Sequence, residues 1–353
     1  MSSEHELHID SLVLHAPGDG DQRFGDVVVP IHLTTTFRQD APGHPPVYDY
    51  SRGGNPTRQV LEDHIALLEG GVAGYAFGSG MAAITAVLSL FEPGDEILVP
   101  NNIYGGTYRV LERYFKRYGL GYAFVDVSSP TAVAAAFSPA TKALLFETPT
   151  NPLLSIADIA ALSAVAHAHG ALVIVDNTFL TPYLQRPLAL GADIVVHSAT
   201  KYLGGHSDVL AGLVVTGDRD LAQRIHFIQY STGGVLPPFD SYLLQRGIKT
   251  LGLRVERQSA SAATLAPWLA VHKGVEQVFY PGLAGHPGSE VHTRQASGGG
   301  GLIAFTLEKG LDIRAFLKAL RLITLAESLG AVESLICHPA TMTHASIPAP
   351  LRA

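Results

Sequence analysis

Six short, unbroken apolar runs punctuate the middle of the chain, and stretches with helical spacing lie between them. The runs are EILVP (96–100), YAFVDV (122–127), KALLFET (142–148), ALVIVDN (171–177), DIVVHS (193–198) and GLVVTG (212–217). Consecutive Ile, Val and Leu describe strands buried on both faces, because a strand with one wet face alternates apolar with polar. Between the runs, TYRVLERYFKRYG and ALSAVAHAHG repeat apolar residues at helical spacing. Upstream, TRQVLEDHIALLEGG sets Val60, Leu61, Ile65 and Leu68 on one helical face and stops at Gly70-Gly71. Repeated strand–helix units predict an α/β fold with a mostly parallel central sheet and helices on both faces. Residues 1–54 lack this rhythm and read as an N-terminal arm, and residues 55–251 as a large domain. From 252 to 353 the pattern changes to a smaller α+β domain. It opens with a long helical stretch (RVERQSASAATLAPWLAVH), followed by strands at VEQVFY (275–280) and GLIAFTL (301–307) and the helix RAFLKALRL.

Composition narrows the function. The 353 residues are 47% hydrophobic and only 16% charged, the reverse of a disordered chain. Lys plus Arg number 24 against 31 Asp plus Glu, so the net charge of −7 makes a nucleic-acid partner unexpected. The single cysteine, Cys337, excludes internal disulfides and cysteine-only metal sites. None of the 16 histidines falls in a metal-ligand spacing, and HAHG (167–170) reads as a helix end closed by glycine, so no metal is expected. No signal-peptide pattern and no span of membrane length is seen, and the expectation is a soluble, cytoplasmic protein.

In open α/β sheets ligands sit at the carboxyl ends of the strands. Gly78-Ser79-Gly80-Met81-Ala82-Ala83 matches G-x-G-x-x-A before the helical AAITAVLSL. A dinucleotide site would need an acid at the end of the next strand, but ILVP ends in Asn101-Asn102. A glycine-rich helix start still suits a phosphate, through its free N–H groups and dipole. Asp176 ends an apolar strand, where a carboxylate needs a cation or several donors. Lys201 follows another buried strand, between small hydroxyl residues and a Gly-Gly turn, which is a setting for a reactive amine. Pyridoxal phosphate needs all three: a lysine for its aldehyde, a carboxylate for its ring nitrogen and donors for its phosphate.

With those residues in view, the chain resembles the Cys/Met-metabolism family of pyridoxal-phosphate enzymes, the trans-sulfuration enzymes, from about Asp26 onward. The resemblance is carried by YSRGGNPT (50–57), FGSGMAAI (77–84), YGGTYR (104–109), ETPTNP (147–152), VDNTFLTP (175–182), HSATKYLGGHSDV (197–209), FDSYLLQRGIKTL (239–251) and LAESLGAVESL (325–335). It implies an aspartate-aminotransferase-like fold (type I) and a homotetramer built from two dimers. It also implies that Lys201 is the Schiff-base lysine and proton shuttle, that Asp176 partners the pyridine nitrogen, and that Tyr104 stacks on the ring. Gly80, Met81, Ser198 and Thr200 then hold the phosphate, while Tyr50 and Arg52 reach the phosphate of the neighbouring subunit. Asn151 and Ser328 are expected near the substrate's carboxylate.

Family members catalyse γ-replacement, γ-elimination or β-elimination. Asp49 and Glu327 match places where γ-acting members carry acids, and one type of β-lyase carries an aromatic at the second. The run GAVESLICHPATMTHASI most resembles cystathionine γ-synthases, so the expected reaction joins an O-acylated homoserine to cysteine. Cystathionine γ-lyase, an O-acetylhomoserine sulfhydrylase and a β-lyase are the alternatives within the family. A catalytically inactive scaffold is the alternative outside it, against which stand the intact Lys201, Asp176 and Tyr104. Tyr230-Ser231-Thr232-Gly233 departs from the Asn-containing pattern of many relatives. The family's carboxylate-gripping arginine follows another strand and a helix after MTHAS, whereas Arg352 comes too soon. The natural protein is therefore expected to continue beyond Ala353.

Overall fold

The computed structural model describes residues 7–17, 24–44 and 47–343. Arg352, His344 and the rest of the segment after Thr343 lie outside the described residues. In chain order the strands are β1 (Ala73–Phe77), β2 (Glu96–Pro100), β3 (Gly121–Val125), β4 (Thr141–Glu147), β5 (Leu172–Asp176), β6 (Ile194–Ser198), β7 (Gly212–Thr216), β8 (Val275–Phe279), β9 (Ala304–Leu307), β10 (Thr324–Leu325) and β11 (Leu335–Ile336). The helices are α1 (Ile9–Leu12), α2 (Pro56–Glu69), α3 (Gly80–Leu88), α4 (Gly105–Arg113), α5 (Pro130–Ala136), α6 (Ile159–Ala168), α7 (Thr181–Leu184), α8 (Arg219–Thr232), α9 (Pro238–Ile248), α10 (Leu251–Ala270), α11 (Ser289–Gln295) and α12 (Ile313–Ala319).

The first seven strands form one sheet in the order β1-β7-β6-β5-β4-β2-β3. The pairs β2–β3, β2–β4 and β4–β5 are parallel, as unbroken apolar runs require. All six runs are strands. The seventh, β1, pairs antiparallel with β7 at one edge and was not expected from periodicity. Its sequence, AGYAF, holds a glycine because a Cβ at Gly74 would collide with the Glu62 carbonyl of α2. Close packing of helix on strand thus erased the apolar signal.

By packing, the chain divides into two compact units. Unit one comprises the residues up to Leu90 together with Val196–Gly252. In it α2 is capped by Asn55, whose Oδ1 accepts the N–H of Thr57, and is closed by Gly70 at φ 75°. Leu61, Ile65 and Leu68 are fully buried, but Val60 is only partly so, and Arg58 and Glu62 are buried with them. The arm folds back on itself, with the Phe37 N–H bonded to the Asp49 carbonyl and the Ser51 N–H to that of Thr35. Unit two comprises Phe91–Val195 and the residues from Leu253 onward. Its core joins Leu98, Val125, Leu144, Phe146, Val173 and Val175 of the sheet to Ile159 and Leu162 of α6. Burying each such side chain contributes about 1.5–3 kcal/mol. HAHG closes α6 as expected, with His169 at the cap and Gly170 at φ 70°. The later part of this unit holds the antiparallel pair β8–β9, with β9 shorter than the apolar run, and the parallel pair β10–β11. Among the described residues no helix is long and apolar enough to cross a membrane.

Candidate active site

Unit one carries the glycine-rich start of α3. Ser79 caps α3 by accepting the Ala82 N–H at 3.1 Å, and the helix's own bonding begins with Ala83 N–H to the Ser79 carbonyl. The N–H groups of Gly80 and Met81 are therefore donors the helix itself does not use, at the positive end of its dipole. A Cβ on Gly80 would lie 2.9 Å from the Cβ of Ser198, so only glycine lets this turn approach the end of β6. Structure thus brings Gly80 and Ser198 together. The Thr200 hydroxyl bonds the backbone of Ala211, donating to its carbonyl at 3.2 Å and accepting its N–H at 3.1 Å. Lys201 stands one residue later in a tight turn, its N–H on the Ser198 carbonyl and its carbonyl accepting from Gly205. A Cβ at Gly247 of α9 would collide with the Gly204 carbonyl, so α9 lies backbone-to-backbone on this turn. One residue before Ser198, His197 Nε2 meets Glu69 Oε1 at 2.7 Å, with both side chains fully shielded from solvent.

The same unit presents the arm residues. Asp49 is exposed and accepts the Tyr50 N–H at 2.6 Å. The exposed Arg52 guanidinium lies 5.3 Å from the Tyr50 ring centroid and 5.0 Å from that of Tyr230. A cation between two aromatic faces is attracted to both.

Unit two gathers the other expected residues around Tyr104, which precedes α4 and is partly buried. Burial first, then the carboxyl groups of Glu327, Asp176 and Glu147, push its phenol up, against the opposing pull of Arg109. Tyr104 therefore stays a neutral ring able to stack. Asp176 is held by Thr178, which donates its N–H at 3.0 Å and its hydroxyl at 2.5 Å to Oδ1. The next residue, Asn177, is locked by Gln185, which also reaches the Thr148 carbonyl at 3.0 Å. Glu147, at the start of the ETPTNP motif, belongs to this group, though no local pattern marks it as a site residue. Its backbone is in register with Asp176 across β4 and β5, and its carboxyl accepts from the N–H groups of Asn151 and Tyr104. Burial and the adjacent Asp176 push that carboxyl well above its ordinary range, which favours the neutral acid. Ser328 has φ 112°, a conformation rarely adopted by any residue but glycine, and such strain is found at functional positions. Asn151 is partly buried and Glu327 exposed.

A family model described as Cys/Met metabolism PLP-dependent enzyme matches residues 10–353. The chain belongs to this family. As a Cys/Met-metabolism enzyme it depends on pyridoxal phosphate and acts in trans-sulfuration chemistry. It is similar to a cystathionine beta-lyase of Lactococcus lactis subsp. cremoris, 55% identical over 98% of this chain and 90% of that protein. A cystathionine gamma-lyase of Bacillus subtilis is 54% identical over 96% of this chain and 89% of that protein. Among solved structures, cystathionine gamma-lyase from Lactobacillus plantarum complexed with L-serine superposes with a TM-score of 0.96. It is 48% identical and covers 98% of this chain and 91% of that one. Donor chemistry agrees with the family's cofactor: helix N–H groups beside a glycine suit its phosphate, and a carboxylate pinned by two donors suits its ring nitrogen.

Proposed function

We propose that this enzyme is a lyase that cleaves cystathionine on the γ side of its sulfur. The reading is carried by Glu327, an exposed carboxylate whose charge acts on Tyr104. An anion there suits the distal ammonium of cystathionine. The names of relatives at 54–55% identity, a cystathionine beta-lyase and a cystathionine gamma-lyase, support a lyase, and only the second supports cleavage on the γ side. The first expectation, γ-synthesis, stands second, and the run GAVESLICHPATMTHASI favours it.

In this reading Lys201 takes the cofactor's aldehyde through Nζ, Asp176 holds the pyridine nitrogen and Tyr104 stacks on the ring. Gly80, Met81, Ser198 and Thr200 hold the phosphate, joined by Tyr50 and Arg52 from a neighbouring copy in a homotetramer. When bound, pyridoxal phosphate supplies an electron sink for the substrate's Cα. Asn151 and Ser328 orient the α-carboxylate, and Glu327 with Asp49 orients the distal ammonium. Lys201 Nζ then takes the proton from Cα and later moves the one on Cβ. The amino-acid substrates and the chemistry suit the cytoplasm.

Product analysis on one preparation tests the choice. Cystathionine given alone should yield cysteine, ammonia and 2-oxobutanoate. Homocysteine and pyruvate instead would mean β-cleavage. Formation of cystathionine from an O-acylhomoserine and cysteine, without cleavage, would put the γ-synthase reading first.

A further inference from the structure

We propose that Arg58 and Glu62 form a buried positioning pair that sets the backbone carrying Arg52 and ties it to the strand leading into the glycine turn. Arg58 is 1% exposed, yet its guanidinium is spent on main chain. Nη1 donates to the Ser51 carbonyl at 2.8 Å and Nη2 to the Arg52 carbonyl at 3.3 Å. A planar fork fixes both N–H groups toward two consecutive carbonyls, a geometry that a lysine's rotatable ammonium does not pre-organise. Nε faces Glu62 Oε1 at 3.5 Å, one helical turn on, as a charge partner rather than a hydrogen bond. The same Oε1 accepts the Ala76 N–H at 2.8 Å and the Gln229 amide at 3.0 Å, while Gln229 also donates to the Ala76 carbonyl at 3.0 Å. Ala76 lies in β1, four residues before Gly80. One carboxylate therefore receives the strand that ends at the glycine turn and, through Arg58, the carbonyls of the segment that displays Arg52.

The cost of the arrangement argues for its use. Removing two charges from water is opposed by several kcal/mol per ion, and α2 already buries Leu61, Ile65 and Leu68. Other bonds hold the neighbours of Arg52: the Ser51 N–H meets the Thr35 carbonyl, the Ser51 hydroxyl that of Thr34, and the Gly53 and Gly54 N–H groups that of Tyr50, while Arg58 is what meets the carbonyl of the exposed Arg52 itself. With its backbone set from below by Arg58 and its side chain flanked by Tyr50 and Tyr230, Arg52 is pre-organised for an anion. Pre-organisation lowers the ordering cost of binding.

The inference rests on the reading that Arg52 meets a cofactor phosphate, and a double-mutant cycle separates the two. The dissociation constant of pyridoxal phosphate is measured by absorbance titration of full-length apoprotein for the parent, Arg52→Ala, Arg58→Lys and the double variant. Arg52→Ala should weaken binding by roughly 10- to 150-fold and Arg58→Lys by about tenfold. On the Arg52→Ala background, Arg58→Lys should add less than about twofold, because it acts through a residue already gone. Unchanged affinity in Arg58→Lys, with Arg52→Ala still weak, overturns the positioning role and leaves the phosphate reading standing. Equal losses from Arg58→Lys on both backgrounds overturn it too, since a merely structural residue behaves that way. Unchanged affinity in Arg52→Ala removes the phosphate reading itself, and the positioning role with it. If Arg58→Lys does not fold, Glu62→Gln takes its place in the same cycle under the same criteria, because it keeps an acceptor for Ala76 and removes only the charge.

Discussion

Glu147 and Asp176 are register partners at the carboxyl ends of neighbouring parallel strands. Two carboxyl groups so placed do not both ionise readily, and their surroundings divide the roles. Asp176 receives both donors of Thr178, whereas Glu147 is buried and its Oε1 has no hydrogen-bond partner among the described residues. Burial and the adjacent Asp176 push Glu147 toward the neutral acid, and its carboxyl accepts from the backbones of Tyr104 and Asn151.

Stability should record that division. A carboxyl whose folded pKa lies above its unfolded value binds more protons when folded, so stability falls as pH rises from the ordinary 4.5 toward the folded pKa. Glu147→Gln imitates the neutral acid and removes this loss. Urea unfolding from about pH 5 to about pH 8 should therefore show the variant gaining on the parent as pH rises. A constant difference across that range would mean that Glu147 ionises normally.

Lys201→Ala should give a folded protein that does not turn over cystathionine. Borohydride should fix the cofactor covalently to the parent and not to the variant, as read by intact mass. Labelling of the variant would move the reactive amine elsewhere.

Gly80→Ala places a methyl group against Ser198. Overpacking of this kind costs about 1–3 kcal/mol, equivalent to roughly 5- to 150-fold in affinity. The thermal midpoint of the apoprotein should fall and cofactor binding should weaken. If neither moves, the turn has room to spare.

Asp49→Ala and Glu327→Ala should impair use of cystathionine or cysteine more than use of an O-acylhomoserine, which lacks the distal ammonium. Comparison of kcat/KM across the substrates checks this, and equal losses would make both acids structural.

Glu69→Ala leaves His197 fully buried without its carboxylate at 2.7 Å. Leaving a buried ring nitrogen without its hydrogen-bond partner costs about 1–3 kcal/mol, measurable by chemical denaturation. A loss below about 1 kcal/mol would show that His197 finds another partner when Glu69 is removed.

The sheet was legible wherever an unbroken apolar run marked a strand, which covers β2 to β7, although β3, at the sheet edge, buries only Val125 fully. It was illegible at β1, where Gly74 answers to the Glu62 carbonyl of α2 and not to the strand's own propensity. On α2 the apolar spacing found Leu61, Ile65 and Leu68 but gave no sign that Arg58 and Glu62 share their burial, because their partners are backbone carbonyls of the preceding loop, a strand N–H and the amide of Gln229, none of which the helical pattern encodes. Lys201, Asp176 and Tyr104 stood out as chemistry at strand ends or within family motifs. Glu147 also ends a strand, but its meaning depends on a register with Asp176 that no local pattern encodes. The fold-back of the arm, with Phe37 on Asp49, has the same origin.

The contact of α9 with the lysine turn bears on how this enzyme tolerates change. Because Gly247 meets the Gly204 carbonyl with no side chain between them, the main chain that holds Lys201 is supported by a helix that itself carries no expected site residue. In a saturation library, position 247 should then score as intolerant as position 201, although its substitutions act through geometry alone. Variants recovered there by selection should carry a second, compensating change along α9 or in residues 202–205. Evolutionary freedom at this enzyme's centre is thus set partly by a glycine that a map of chemical groups would leave blank.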